Sequence, residues 1–258
     1  MWYKARMAIA VLRAATTFGI ACRKPGCAEF SAVIGACKFE SLKPRTAVIT
    51  ADQIDRARSA AHAAGHPGAA LAYALQFEGA ARQWDIIGEW VPLSDKRPSA
   101  ILHNGWKWIG PTWASIDANL ILRFTPGKTQ TTTEAEVVID LGACPMVMDE
   151  ISGLSPAARN GPLIMDHEVG HPYTKHRYGK AWKAAAKAAG IPPAIWNRDL
   201  RASGTTEARE AGARTDDIQK LMAHAPGSPT TSTVYDRTLL EAHRRIAEAR
   251  RAHRAKKG

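Results

Sequence analysis

Arg82, Lys128, Arg201, His224 and Tyr235, in that order along the chain, are the side-chain types that phosphoryl transfer to a tyrosine requires. Guanidinium groups give paired hydrogen bonds to non-bridging phosphate oxygens, where charge builds in the transition state. A lysine can protonate a leaving oxygen, and a tyrosine hydroxyl can attack phosphorus as a covalent nucleophile. Each residue alone has an ordinary structural alternative. An arginine can sit on a surface, a lysine can solubilise a turn, a histidine can end a helix, and a tyrosine can pack as an aromatic. The ordered set and its local contexts are what carry the chemistry.

Those contexts are specific. Arg82 lies in Gly79-Ala80-Ala81-Arg82-Gln83-Trp84-Asp85, with an acid one helical turn later. Lys128 follows Pro126-Gly127 between two apolar runs, and Lys107 is a weaker rival for its role. Arg201 ends Asn197-Arg198-Asp199-Leu200-Arg201, and His224 ends Leu221-Met222-Ala223-His224. Tyr235 sits eleven residues after His224 in Thr230-Thr231-Ser232-Thr233-Val234-Tyr235-Asp236-Arg237, beyond a Pro226-Gly227-Ser228-Pro229 linker.

The elements that must position these residues are legible in outline. Residues 1–45 read as one or two helices, with apolar Met7, Ile9, Val11, Leu12 and Phe18 and a second patch at Phe30–Ile34. Thr50 and Gln53 form a capping-box pattern that starts a helix. Ala69 to Phe77 is apolar almost all round, which argues for a buried helix leading to Arg82. From Trp106 the period shifts towards two. It predicts three short antiparallel strands at Trp113–Asp117, Asn119–Phe124 and Ala135–Asp140, with Lys128 in the connection between the last two. Helices are predicted over 178–189, 200–212, 215–224 (with Thr215 as N-cap) and 238–257. Ala202, Ser203 and Gly204 make the helix after Arg201 suited to close packing. Alternation around Trp106, Trp108 and Trp113 points to core packing of these rings.

The ordered set resembles the catalytic domain of the tyrosine recombinases, the phage-integrase family, over roughly residues 45–240. The resemblance implies a fold that is mainly α with a small antiparallel β-sheet. It implies Arg82 and Arg201 as a phosphate clamp, Lys128 as the acid for the leaving 5′-oxygen, and His224 as a hydrogen-bond partner of the scissile phosphate. Tyr235 would be the nucleophile, with Arg198 and Arg237 as further contacts to DNA phosphate. The energy of the broken bond is kept in a 3′-phosphotyrosyl link, so no cofactor and no metal is required. The partner implied is double-stranded DNA, bound by a homotetramer that assembles through the C-terminal helix. Arg198 departs from the pattern, because the family has there a histidine that accepts the tyrosine proton. Arginine cannot be a general base at neutral pH. The resemblance therefore leaves two readings open: an active recombinase, or a degenerate integrase that binds DNA without efficient cleavage. Residues 1–45 are short for a core-binding domain. They are expected to be a helical remnant of one, with 46–258 as the catalytic domain of a truncated or remnant integrase.

Composition agrees with a nucleic-acid partner. The formal net charge is +11 and the isoelectric point is about 9.7, which favours a polyanion. Arg13 interrupts the first apolar stretch, and no convincing cleavage site follows, so a signal peptide is not expected. No apolar run reaches spanning length, so no membrane partner is expected either. Cys22, Cys27, Cys37 and Cys144 show no paired metal-type spacing and read as buried thiols in a reducing cytoplasm; the resemblance implies a bacterial protein that is nucleoid-associated when bound to DNA.

One motif points elsewhere. His167-Glu168-Val169-Gly170-His171 is a literal H-E-x-x-H, which on a helix would present two imidazoles to Zn²⁺ and a glutamate to its water. Pro172 and the upstream Gly161-Pro162 leave little room for that helix. His176 has the wrong spacing for a third ligand. A zinc hydrolase is therefore the lesser alternative.

Overall fold

Thr50 accepts the backbone N–H of Gln53, and the Gln53 side chain accepts that of Thr50, so the capping box forms and opens α3 (Ala51–Ala63). The computed structural model describes residues 2–37, 47–127, 136–222 and 235–257. The chain divides into two compact units, Met1–Thr46 and Ala47–Gly258.

The first unit is a helical hairpin of α1 (Trp2–Ala21) and α2 (Cys27–Ala36). Gly19 faces Cys27 so closely that an added Cβ would overlap the thiol sulfur, and Arg13 Nη2 donates to the Ile34 carbonyl at 3.2 Å. Met7, Val11, Leu12, Phe18, Phe30 and Val33 are exposed, and Ile34 is buried. Two short helices alone have too little mutual surface to cover their apolar residues.

The second unit is built around α4 (Pro67–Glu78), where every residue from Gly68 to Glu78 is buried. α3 and α7 (Lys175–Ala188) pack along it, as do α6 (Pro145–Ser152) and α8 (Asp199–Glu210). Tyr178 Oη donates to the Gln76 side chain at 2.6 Å, and Gln76 Nε2 donates to the Asn197 carbonyl at 3.2 Å. These bonds satisfy Gln76, whereas the Tyr73 hydroxyl in the same buried helix has no hydrogen-bond partner among the described residues. A short α5 (Gln83–Ile87) follows α4, and α9 (Thr215–Leu221) and α10 (Tyr235–Lys257) complete the helices. No helix among the described residues is long and apolar enough to cross a membrane.

Two small antiparallel sheets accompany the helices. The first has the order β1-β3-β2, from β1 (Glu89–Pro92), β2 (Leu102–His103) and β3 (Trp106–Ile109). None of these three strands was among those expected from sequence, although Asn104-Gly105 was the available signal. Both residues have positive φ, 47° and 76°, as a two-residue hairpin turn of this hand requires. The second sheet pairs β4 (Ile121–Phe124) with β5 (Val137–Asp140).

The strand expected at Trp113–Asp117 is instead a 3₁₀ turn over Trp113–Ser115. Thr112 and Ser115 form a reciprocal cap there, and Trp113 N–H bonds to the Gly161 carbonyl, so only Ile116 bridges to Leu122. Thr215 is the first residue of its helix rather than the cap, which falls on Arg214. Of the three tryptophans expected in the core, Trp108 is buried, Trp113 is half-buried and Trp106 is exposed, because Trp106 lies at the end of β3 beside the exposed Asn104-Gly105 turn. Of the four thiols only Cys144 is buried. Cys22 and Cys37 lie in the hairpin unit, which has little interior.

Candidate phosphate-binding site

α4 stops at Glu78, and the chain turns back through Ala80, whose φ of 47° is a left-handed conformation rare for a side chain with a Cβ. Ala80 is held in that turn by a small apolar cluster with Ala208, Ile218, Leu221 and Ile246. The cluster joins α8, α9 and α10 beneath the turn. Arg82 emerges as the N-cap of α5, with Asp85 one turn on.

Arg82 Nη1 lies 3.5 Å from Asp85 Oδ2, an ion-pair distance. That nitrogen is buried and has no hydrogen-bond partner among the described residues. Asp85 is itself largely buried, and burial pushes its carboxyl up. Arg82, the Arg201 charge and a bond from the Gly127 backbone N–H pull against that shift. Arg201, on the first turn of α8, is lowered to about 10, first by burial and then by the Arg82 charge, with Asp85 opposing. It stays ionised at neutral pH. Among the described residues, two guanidiniums and one carboxylate thus share a partly buried site with an excess of one positive charge and a donor nitrogen whose one contact there is the long one to Asp85. A tetrahedral oxyanion supplies what such a site lacks.

The approach of α8 to α4 sets this geometry. Gly204, one turn after Arg201, lies so close to the Phe77 carbonyl that a Cβ would overlap it. Ser203 Oγ accepts the Ile49 backbone N–H at 3.0 Å and donates to the Asp199 carbonyl. The Asp199 carboxylate accepts the Trp196 N–H at 2.8 Å, which fixes the entry to the helix.

Two neighbouring chain segments are tied to the same residues. Gly127, which precedes Lys128, donates to Asp85. The Met222 carbonyl, two residues before His224, accepts Arg201 Nη2 at 2.7 Å. Lys128 and His224 themselves lie outside the described residues. Tyr235 is the first residue of α10 and Arg237 is in its first turn, both placed by backbone alone. The structure therefore brings together Arg82 and Arg201. Arg198 is the exposed N-cap of α8, with its guanidinium 4.3 Å from the centre of the Trp196 ring. The rival Lys107 is buried, and its ammonium donates to the Asp95 carbonyl.

α10 is anchored on the same framework. Arg254 pairs with Glu207 and, at 3.0 Å, with Glu78. Arg250 Nε donates to Glu207 at 2.8 Å, and its Nη1 donates to the Glu78 carbonyl. Glu78 Oε2 also accepts the Met146 and Val147 N–H groups that open α6. Further along, Arg245 pairs with Asp217 and Arg244 with Asp140. Four arginines of the helix that the resemblance gives to tetramer assembly are thus paired within their own chain. Glu78 and Glu207 were missed as their partners, because they lie 172 and 43 residues away from Arg250 in sequence.

The H-E-x-x-H stretch is not helical. His167 to Gly170 form a turn closed by a bridge between Asp166 and His171. The imidazoles therefore share no helix face, and the Glu168 carboxylate pairs with Arg177 at 2.6 Å. Among the described residues His66, Asp166 and Glu168 have ligand atoms within 4.8 Å of one another. Arg177 donates to both carboxylates and offsets one of their two charges.

The fold is that of a tyrosine-recombinase catalytic domain of the phage-integrase type: mainly helical, with small antiparallel sheets. It is similar to lambda integrase bound as a dimer to a COC′ core site, with a TM-score of 0.59 and 17% identity over 89% of this chain and 74% of that one. Lambda integrase bound to DNA gives 0.58 and 14% over 92% and 77%. The integrase from mycobacterium phage Brujita gives 0.53 and 15% over 92% and 70%. No family model matches the sequence, and no curated protein matches it significantly.

Proposed function

We propose that this chain is a site-specific DNA recombinase that cuts and rejoins strands through a 3′-phosphotyrosyl intermediate. The observation that carries this reading is the Arg82–Asp85–Arg201 cluster, with its excess positive charge and its donor nitrogen in only long contact with Asp85 among the described residues, on a recombinase fold. Arg82 and Arg201 bind the non-bridging oxygens of the scissile phosphate and stabilise the charge that grows there. The Tyr235 hydroxyl passes its proton to solvent, since Arg198 cannot take it, and its oxygen bonds to phosphorus as the bond to the 5′-oxygen breaks. Lys128 protonates that oxygen, and His224 supports the phosphate. A 5′-hydroxyl from a second strand then reverses the attack. Each step exchanges one phosphodiester for another, so neither nucleotide hydrolysis nor a metal is required. Arg237 and Arg198 hold neighbouring phosphates, and four copies act on two DNA sites. Contacts between copies then use parts of α10 other than the arginines paired within the chain.

A second reading, a DNA-binding protein without efficient cleavage, is favoured by Arg198. It stands where a base is expected and stacks on Trp196 instead. A duplex nicked beside the cut site, which loses a short product and traps the intermediate, separates the two. The recombinase gives a covalent protein–DNA adduct that Tyr235→Phe abolishes. Tight binding with no adduct under any condition means the binding protein.

A further inference from the structure

Two exposed tryptophans lie close in sequence to the clamp arginines, and each carries a cation on its face. Trp84 is two residues beyond Arg82, is 42% exposed, and has the Lys175 ammonium 4.8 Å from its ring centre. Trp196 is 48% exposed and carries Arg198, three residues before Arg201. Arg198 has helical dihedrals, so it and Arg201 are neighbours one turn apart, with about 5–6 Å between their Cβ atoms. Large exposed aromatics are costly to leave in water, and here they shape the positions of exposed cations.

The placement of the cations is locally unfavourable. Lys175 is the first residue of α7 and Arg198 is the cap of α8, both at helix N-termini where the backbone dipole is positive and acids are preferred. α7 has no acid in its first turn. Lys175 in particular is not explained by the stability of its own helix, whereas α8 has Asp199 in its first turn beside Arg198. An external polyanion would reward both.

We propose that the Trp84–Lys175 and Trp196–Arg198 pairs are preformed contacts for the phosphate backbone of duplex DNA, set beside the Arg82–Arg201 clamp. The inference rests on the DNA-acting reading of that clamp and extends it to Trp84, Lys175 and Trp196. Each ring restricts its cation to one direction, which lowers the ordering cost of the phosphate contact. The contacts are to backbone, so they act on every sequence alike.

The test is equilibrium binding of the full chain to a fluorescent duplex lacking any recombination site, measured across a series of potassium chloride concentrations. Lys175→Gln and Arg198→Gln are each expected to weaken binding several-fold and to lower the slope of log K against log salt by about 0.9, one phosphate contact. Lys187→Gln, about 18 Å away at the other end of α7, removes the same charge and should leave the slope nearly unchanged. Trp196→Leu should weaken binding when Arg198 is present and add nothing to Arg198→Gln, and Trp84→Leu should behave likewise with Lys175. Wild-type slopes in both cation variants, or an equal loss in Lys187→Gln, would overturn the proposal. Unchanged DNA binding in the tryptophan variants would overturn the pairing and assign the rings to another partner. The covalent-adduct assay is independent: slopes that fall as expected with no adduct refute the recombinase and leave this surface standing.

Discussion

Gly204 of α8 rests directly on the Phe77 carbonyl of α4, and this approach holds Arg201 beside Arg82. Backbone cannot yield as a flexible side chain can. Gly204→Ala should therefore separate the helices and cost about 1–3 kcal/mol, although alanine favours helices elsewhere. Urea unfolding measures the cost. DNA affinity should fall with it, and a variant as stable and as tight as wild type would show that the contact does not set the clamp.

Asp85 is the acid that the structure places between the two guanidiniums. Asp85→Asn leaves two like charges in a partly buried site, which should destabilise the protein by about 1–3 kcal/mol. An anion should compensate. Inorganic phosphate is expected to raise the melting temperature of the variant more than that of wild type, by binding the folded state. An equal shift in both proteins would argue against an anion site there.

The Glu207 carboxylate, bonded by Arg250 and Arg254, is held below its ordinary range by those bonds against the opposing effect of burial, the largest single contribution. Its folded value lies below its unfolded one, so its stabilisation is present above the unfolded value and is lost as pH falls through the folded one. Glu207→Gln should loosen α10 more than the other helices. Hydrogen exchange along 243–257 should quicken by at least tenfold, while α3 and α4 stay protected.

His243 is buried against Asp140, Cys144, Arg244 and Arg250, and its Nδ1 accepts the Asp140 N–H at 3.0 Å. Burial lowers it to about 4. An unfolded histidine titrates at about 6.5, so the unfolded state binds more protons between those values. This contribution is complete above pH 6.5 or so and is lost as pH falls towards 4. It amounts to about 3 kcal/mol in order of magnitude. Unfolding free energy against pH should fall through that window in wild type, and His243→Gln should flatten the decline.

Much of the helical framework was legible in local chemistry. The Thr50–Gln53 cap, the apolar run of α4 and the small residues after Arg201 each act within a few positions, and each reads directly from the sequence. That Arg82 and Arg201 belong together was legible as part of an ordered set of residue types. What escaped was long-range. Nothing local joins Glu78 to Arg254, or the Gly127 N–H to Asp85, because only the folded chain brings them together. The Trp113 segment failed for a local reason. Its alternation resembled a strand, but the side chains of Thr112 and Ser115 offered a cap that the backbone took instead.

The most direct test of the account is the mass of the peptide that carries the DNA. The chain should be trapped on a nicked duplex, digested with nuclease and protease, and analysed for the modified residue. The account predicts a 3′-linked nucleotide phosphate on Tyr235, with its yield reduced at least a hundredfold by Arg82→Ala or Arg201→Ala. A nucleotide on any other residue would contradict it, as would an adduct that forms undiminished without these arginines.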